Sequence, residues 1–166
     1  HDGFSGKVLD AGCGTGENTL HLASLGFPVV GIDVAQTALT IARQKAKERR
    51  IDVEFASVDA LHLERLQCIF DSVLDCGLFH TFDRDERGRY VASLASVTRP
   101  GGTLNLWCFR EDGDRTGPHP VGEDELRTAF DASSGWDVAA IEPDHLRTRF
   151  HDDSGAPAWF ARIKRL

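Results

Sequence analysis

The feature that most constrains the fold is a short apolar strand that runs directly into a glycine-rich turn. Residues 7–10 (KVLD) are predicted to form the strand, and the run continues as Val8-Leu9-Asp10-Ala11-Gly12-Cys13-Gly14-Thr15-Gly16. Glycines at such a turn let the backbone approach a ligand closely. The helix predicted over 15–25 would present free N–H groups at its first turn. The pattern therefore predicts a ligand site where the first strand meets the first helix.

The rest of the chain alternates short apolar runs with helical stretches, which is typical of an open α/β sheet. Further strands are predicted at 28–32, 53–57, 69–74, 103–109, 136–141 and 158–163, and helices over 35–50, over 61–66, after the capping box Asp83/Glu86 and around Leu126 to Phe130. The third of these helices is expected to stop at Pro100-Gly101-Gly102, and the last two strands have no helix between them. We therefore expect one doubly wound domain over residues 1–166.

Composition excludes several classes of protein. The 166 residues carry a formal net charge of −7, which argues against binding to nucleic acid or to an anionic membrane. No run reaches the ~18 apolar residues that a membrane helix needs. Four cysteines without a C-x-x-C pair favour a reduced cytoplasmic location, and seven histidines without an H-E-x-x-H pattern give no indication of a metal site.

Three acidic residues follow consecutive predicted strands. Asp10 precedes the glycine turn, where a carboxylate suits a ligand with ammonium and sulfonium groups better than a pyrophosphate. Asp33 ends the second strand, where a carboxylate can accept both hydroxyls of an adenosine ribose. Asp59 ends the third strand, where it could bind the amine of an adenine ring with help from the Ala60 N–H. Each acid alone is more often a helix cap or a turn residue than a ligand contact, but together they favour a nucleoside site.

In these motifs the sequence resembles the class I S-adenosylmethionine-dependent methyltransferases. The matching segments are VLDAGCGTG at 8–16, VVGIDVA at 29–35, SVDA at 57–60, FDSVLDCGLFH at 70–80 and RPGGTLNLWCF at 99–109. The resemblance implies a Rossmann-like, mostly parallel seven-stranded sheet of order 3-2-1-4-5-7-6, with strand 7 antiparallel and helices on both faces. GTGENTLHLA and GLFHTF further resemble small-molecule enzymes of the thiopurine, thiol and tellurite-resistance kind.

The resemblance also implies a cofactor site for S-adenosyl-L-methionine and its product S-adenosyl-L-homocysteine. The residues expected to bind it are Asp10, Gly12, Cys13, Gly14 and Thr15 around the methionine part, Asp33 and Val34 at the ribose, Asp59 and Ala60 at the adenine, and Asp75 and Cys76 near the amino-acid end and methyl group. The expected acceptor is a small molecule, aromatic or a thiol, with an oxygen, nitrogen or sulfur nucleophile. The sequence does not indicate the oligomeric state.

Residues that contact the acceptor are harder to place. His80 could be a general base for a phenol, thiol or enol-like hydroxyl, or it could simply pack beside Phe79. His119 is a candidate acceptor contact, although a surface turn explains it equally well. Arg147 is another, together with Arg149, Phe150 and His151, although a solvated loop is the more common explanation for such a segment. Trp107 and Trp136 are expected in the core rather than as platforms for a ligand.

Two other functions remain open at this point. An NAD-dependent oxidoreductase would use a related glycine loop, but Gly16-Glu17 departs from G-x-G-x-x-G and no Tyr-x-x-x-Lys is present. A protein that binds the cofactor without turnover is the other alternative. Members of the resembled family usually carry an N-terminal helical segment that closes over the cofactor, whereas only His1 to Gly6 precede the first strand here. That segment is expected to be missing, since the sequence also lacks an initial methionine.

Overall fold

The computed structural model describes residues 3–112, 117–147 and 154–166. The strands are β1 (Val8–Ala11), β2 (Val29–Asp33), β3 (Glu54–Ser57), β4 (Phe70–Cys76), β5 (Thr98–Phe109), β6 (Trp136–Leu146) and β7 (Ala156–Arg165). The α-helices are α1 (Glu17–Ser24), α2 (Gln36–Arg49), α3 (Arg84–Val97) and α4 (Glu123–Ala129), and short 3₁₀ helices occupy Ala60–Leu66, Phe79–Thr81 and Ala132–Ser134.

The seven strands form one sheet in the order β3-β2-β1-β4-β5-β7-β6, which confirms the expected fold class. The pairs from β3 to β5 are parallel, and β7 runs antiparallel to both of its neighbours. The carboxyl ends of β1, β2, β3 and β4 therefore meet at one edge of the sheet, which is where parallel α/β sheets bind ligands.

The largest departures from the predicted boundaries are in β5, β6 and β7. Strand β5 begins at Thr98, directly after α3, so the helix stops before Pro100 rather than at it. Strands β6 and β7 form a longer antiparallel pair than the 136–141 and 158–163 runs suggested. Pro143 lies inside β6, which is possible because β6 is at the edge of the sheet and needs no ladder hydrogen bond there.

The two faces of the sheet pack against different helices. On one face, Val73 and Leu104 lie in the largest apolar core with residues of α3 such as Tyr90. On the other face, Leu74 packs with Leu22 of α1. Because successive residues of a strand point to opposite faces, side chains at the end of β4 are divided between these two environments.

Close packing explains why glycine ends the first turn. Gly16 has a φ of 83°, and a Cβ there would lie 2.8 Å from the Cβ of Ala42 in α2. The predicted capping box at the start of α3 is present, since the Asp83 carboxylate accepts from the Glu86 N–H and Glu86 from the Asp83 N–H. Within the described residues, no helix is long and apolar enough to cross a membrane.

Candidate functional site

The loop after β1 is held by hydrogen bonds that its N–H groups donate to β2. The Cys13 N–H donates to the Ile32 carbonyl at 2.8 Å, and the Gly14 N–H donates to Oδ2 of Asp33 at 2.9 Å. The other carboxylate oxygen of Asp33 accepts from the Ala35 N–H at 2.8 Å. Asp33 thus ties the glycine turn to the end of β2, and its carboxylate orientation is fixed before any ligand binds.

A cavity of about 190 Å³ opens beside this carboxylate, and we call it the Asp33 cavity. Its lining residues are Gly12, Ile32, Asp33, Val34, Val58, Asp59, Ala60, Leu78, Thr81 and Phe82. Five of the expected cofactor-binding residues are therefore brought together, from the ends of three strands. A Cβ on Gly12 would lie 3.1 Å from the Cβ of Leu78, so a larger residue would narrow the cavity.

Asp59 and Val34 shape the rim of the Asp33 cavity. The Asp59 carboxylate accepts from the Leu61 N–H at 2.9 Å and so caps the 3₁₀ helix that starts at Ala60. Asp59 therefore caps the 3₁₀ helix and lines the cavity at the same time, so its two interpretations are compatible. Val34 leaves 67% of its surface exposed, an apolar residue available to cover a ligand.

Two other strand-end acids are buried away from this cavity. Oδ2 of Asp10 accepts from the Thr19 hydroxyl at 2.5 Å, and burial raises the pKa of its carboxyl to about 6. Asp75 accepts from the Leu78 N–H at 2.7 Å and from the Tyr90 hydroxyl at 3.0 Å, and burial raises the pKa of its carboxyl to about 7. Asp75 thus organises the loop after β4, Asp10 ties β1 to α1, and neither lines the Asp33 cavity.

A second cavity, of about 390 Å³, lies on the α1 face of the sheet, and we call it the Trp107 cavity. Phe4, Asn18, His21, Leu22, Leu74, Cys76, Trp107, His145, Leu146 and Arg147 line it. Gly77 separates the two cavities along the chain, because Cys76 before it lines the Trp107 cavity and Leu78 after it lines the Asp33 cavity.

The ring of Trp107 is fixed by two contacts. It stacks on Phe160 of β7 with centroids 4.4 Å apart, and its indole N–H donates to Oδ2 of Asp144 at 2.8 Å. Trp107 is partly buried: it packs against apolar core residues and also lines this cavity, whereas Trp136 is fully buried as expected.

The His80 side chain points into the protein from the short 3₁₀ helix after β4, and only 5% of its surface is exposed. Its Nδ1 accepts from the Phe109 N–H at 3.2 Å, and its ring stacks on Phe109 at 4.2 Å between centroids. Burial, aided by the nearby Arg87 charge, lowers the pKa of the imidazole to about 4. The neutral ring then carries its proton on Nε2, which leaves no free lone pair to take a proton. This geometry favours the packing interpretation of His80 over the general-base one.

The remaining candidates lie at the periphery. Cys13 and Cys76 are partly buried, and burial raises the pKa of the two thiols to about 12 and about 11. Thr15 accepts from the Lys45 ammonium at 3.1 Å. His119 is exposed, and its backbone N–H donates to the His80 carbonyl.

Three further candidate acceptor contacts, Arg149, Phe150 and His151, lie outside the described residues. Sequence reasoning missed Leu78, Thr81 and Phe82, which close the Asp33 cavity from the loop after β4. Among the residues that the structure describes, no group of three or more His, Cys, Asp or Glu side chains is placed to hold a metal ion.

Comparison with known proteins identifies relatives over the same segments. The model of the family described as "Methyltransferase domain" matches residues 8–102, more than half of the chain. A curated relative, the 2-heptyl-1-hydroxyquinolin-4(1H)-one methyltransferase of Mycobacteroides abscessus, is 36% identical over 145 residues. That alignment covers 85% of this chain but 63% of the relative, so the chain spans less than two thirds of its length.

Solved structures share the architecture. One, whose subject is the conversion of a disulfide bond into a thioacetal group during echinomycin biosynthesis, is 35% identical with a TM-score of 0.84, and the match covers 98% of this chain and 76% of that one. Another is the magnesium protoporphyrin IX methyltransferase of Synechocystis PCC 6803 with bound SAM. It is 25% identical with a TM-score of 0.73, covering 96% of this chain and 69% of that one.

Proposed function

The chain belongs to the family of methyltransferase domains, and on that basis we propose that it transfers a methyl group from S-adenosylmethionine to a small-molecule acceptor. The observation that carries the proposal is the Asp33 cavity. It joins the glycine turn after β1 to the strand-end residues Asp33 and Asp59 in a space with an apolar cover. A nucleoside needs this combination of hydroxyl acceptors and flat apolar walls.

The residues present fit the cofactor. The Asp33 carboxylate, already oriented by the Gly14 and Ala35 N–H groups, would accept hydrogen bonds from the ribose hydroxyls. Asp59 and Ala60 line the same cavity as Val34 and Phe82 and would contact the adenine ring there. The backbone from Gly12 to Thr15 would follow the methionine part. A Cβ on Gly14 would have no neighbour within 4 Å, so the turn leaves open space there.

The contribution of the chain to the reaction is alignment. S-adenosylmethionine, when bound, supplies an electrophilic methyl group on a positively charged sulfur. The side chains then need to hold the acceptor in line with that methyl group, and proximity and orientation can supply roughly 7–11 kcal/mol of rate acceleration. The buried His80, with Nδ1 already occupied, contributes to the packing of the loop.

The Trp107 cavity is the proposed acceptor site. It adjoins the end of β4 at Cys76, and its walls are mostly apolar, from Phe4, Leu22 and Leu74. The name of the quinolone methyltransferase relative states that its substrate is a small aromatic molecule, which supports an acceptor of similar size here. Arg147 lies at the rim, while His119 is not among the lining residues.

Two wider statements belong to the same proposal. We expect no nucleic-acid partner, because the net charge of −7 disfavours contact with phosphates. We expect a cytoplasmic location, because the four cysteines are unpaired in the structure and suit a reducing compartment.

Calorimetry with S-adenosylhomocysteine tests cofactor binding, with NAD as the matched control nucleotide. Saturable binding of S-adenosylhomocysteine alone is expected, and binding of NAD alone would overturn the proposal. Turnover is then followed by mass spectrometry of S-adenosylhomocysteine formed from S-adenosylmethionine with a panel of phenols, thiols and hydroxylated heteroaromatics. Cofactor binding without product from any acceptor would instead support a binding protein.

A further inference from the structure

The Trp107 cavity carries an inference about the acceptor, one that rests on the proposed function. We propose that the acceptor is a planar aromatic molecule that binds this cavity as an anion, with its ring against Trp107 and its charge toward Arg147. The proposal rests on two features of the cavity, a rigid aromatic wall and a basic rim.

The aromatic wall is pre-organised. The Trp107 ring is held between the Phe160 ring at 4.4 Å and the Asp144 carboxylate at 2.8 Å from its indole nitrogen. A side chain fixed in this way loses little conformational entropy when a flat ligand stacks on it. Leu22 and Leu74 are buried at the base of the same cavity and add apolar contact. The cavity thus favours a ring system over a flexible polar chain.

The rim is basic although the chain as a whole is acidic. The titratable lining residues are His21 of α1, Cys76 of β4, His145 of β6 and Arg147 directly after β6, and no carboxylate lines the cavity among the described residues. The Asp144 carboxylate lies outside the lining and accepts from the Trp107 indole. In a chain of net charge −7, the arginine at this rim makes a local site for negative charge.

An acceptor that arrives ionised suits this cavity. It needs neither the Cys76 thiol, which burial keeps protonated with its pKa at about 11, nor the lining imidazoles of His21 and His145 as a base. An ionised oxygen forms its bond to the methyl carbon while the carbon–sulfur bond breaks and its electron pair stays on sulfur. The negative charge of the acceptor and the positive charge of the sulfonium disappear together, so no proton has to be removed.

Arg147 could instead bind the carboxylate at the methionine end of the cofactor. Substitution of Arg147 distinguishes binding of an anionic acceptor from binding of the cofactor. Arg147→Gln removes the rim charge from an exposed side chain, which should leave folding intact. Arg89→Gln, an exposed arginine on α3, is the matched control. The probes are 1-hydroxyquinolin-4(1H)-one, which has an acidic N-hydroxyl group, and quinolin-4(1H)-one, which lacks it. Affinities for both, and for S-adenosylhomocysteine, are measured by calorimetry at about pH 8, where an ordinary imidazole is uncharged.

We expect Arg147→Gln to weaken binding of the hydroxylated probe by roughly fivefold or more, with little change for the other probe or for S-adenosylhomocysteine. Trp107→Ala should weaken both probes, while a melting curve checks that it folds. Loss of S-adenosylhomocysteine affinity in Arg147→Gln would assign the rim to the cofactor and overturn the inference, as would equal losses for the two probes. Failure of the unmodified protein to bind S-adenosylhomocysteine would overturn the proposed function itself.

Discussion

The Asp33 carboxylate and the Gly14 amide are joined by a 2.9 Å hydrogen bond that connects the end of β2 to the turn after β1. The same carboxylate accepts from the Ala35 N–H, so both of its oxygens are oriented within the chain. A ligand with two vicinal hydroxyls therefore meets a carboxylate that needs no rearrangement. The role of this carboxylate can be measured directly.

Asp33→Ala should weaken binding of S-adenosylhomocysteine by roughly tenfold or more, because charge-assisted hydrogen bonds are worth about 1.5–3 kcal/mol. Asp52→Ala, which removes an exposed carboxylate after α2, is the control. Calorimetry on both variants gives the comparison. Equal affinities for Asp33→Ala and the unmodified protein would remove Asp33 from the site.

Gly12 offers a test of the cavity that separates occlusion from backbone strain. Its φ is 74°, and an added Cβ would lie 3.1 Å from Leu78, inside the Asp33 cavity. Gly26 has a φ of 91° but would meet nothing within 4 Å. Both Gly12→Ala and Gly26→Ala should lower the melting temperature through strain. Only Gly12→Ala should also weaken S-adenosylhomocysteine binding, and a parallel loss in Gly26→Ala would attribute the effect to strain alone.

The buried acids predict an unusual dependence of stability on pH. Burial raises the pKa of Asp10 to about 6 and of Asp75 to about 7, above the ordinary value of 3.8. Between about pH 4 and pH 7 the folded chain therefore binds protons that the unfolded chain has released, so the free energy of unfolding falls as the pH rises. The stability that these two carboxyls contribute is fully present below the pKa of the unfolded chain, 3.8, and it is lost as the pH rises through the folded pKa values of about 6 and about 7.

Asp75→Asn should flatten this dependence, because an amide side chain does not titrate. The variant should still fold, because the amide keeps an acceptor for the Leu78 N–H and can donate to the Tyr90 hydroxyl. Chemical denaturation at about pH 4.5 and about pH 8 measures the difference, with Asp137→Asn on the exposed side of β6 as control. A slope as steep in Asp75→Asn as in the unmodified protein would mean that Asp75 titrates normally.

His80→Gln distinguishes a packing role from general-base catalysis. The contact of its Nδ1 with the Phe109 N–H predicts a lower melting temperature and a loss of turnover that is similar for all acceptors. A general base predicts a loss of roughly 10²–10⁴ that shrinks for acceptors already ionised at the assay pH. Rates against a series of phenols of graded pKa decide the matter, and His62→Gln, an exposed histidine, serves as the control.

Much of the fold was accessible from sequence because its signals are local. The strand-to-helix glycine turn, the Asp83/Glu86 capping box and the alternation of apolar runs each depend on neighbouring residues. The strand order agrees with the order that the family resemblance implied. The length of the β6–β7 pair was not accessible, because the outer half of β6 is polar and contains Pro143, and pairing with β7 holds it in the sheet.

The candidate site was accessible only in part, for a geometric reason. Strand ends were identifiable, but the face to which each side chain points depends on a register of one residue. Asp75 and Cys76 are adjacent, yet Asp75 bonds to Tyr90 on the α3 side while Cys76 lines the Trp107 cavity. Trp107 was expected in the core as a large aromatic residue, and it both packs against core residues and lines a cavity. The role of a residue that depends on the direction of its side chain could be assigned only from the structure.

The division of the site at Gly77 has a consequence for how such a chain could diversify. Residues that line the Asp33 cavity all precede residue 83, whereas the rim of the Trp107 cavity includes His145, Leu146 and Arg147 at the turn end of the β6–β7 hairpin. Three of the ten residues that line the Trp107 cavity are therefore carried by a hairpin that takes no part in holding the glycine turn. If the proposed roles of the two cavities hold, exchanging that hairpin for another would redirect the choice of acceptor without disturbing the nucleoside half, which makes it a natural graft point for engineering.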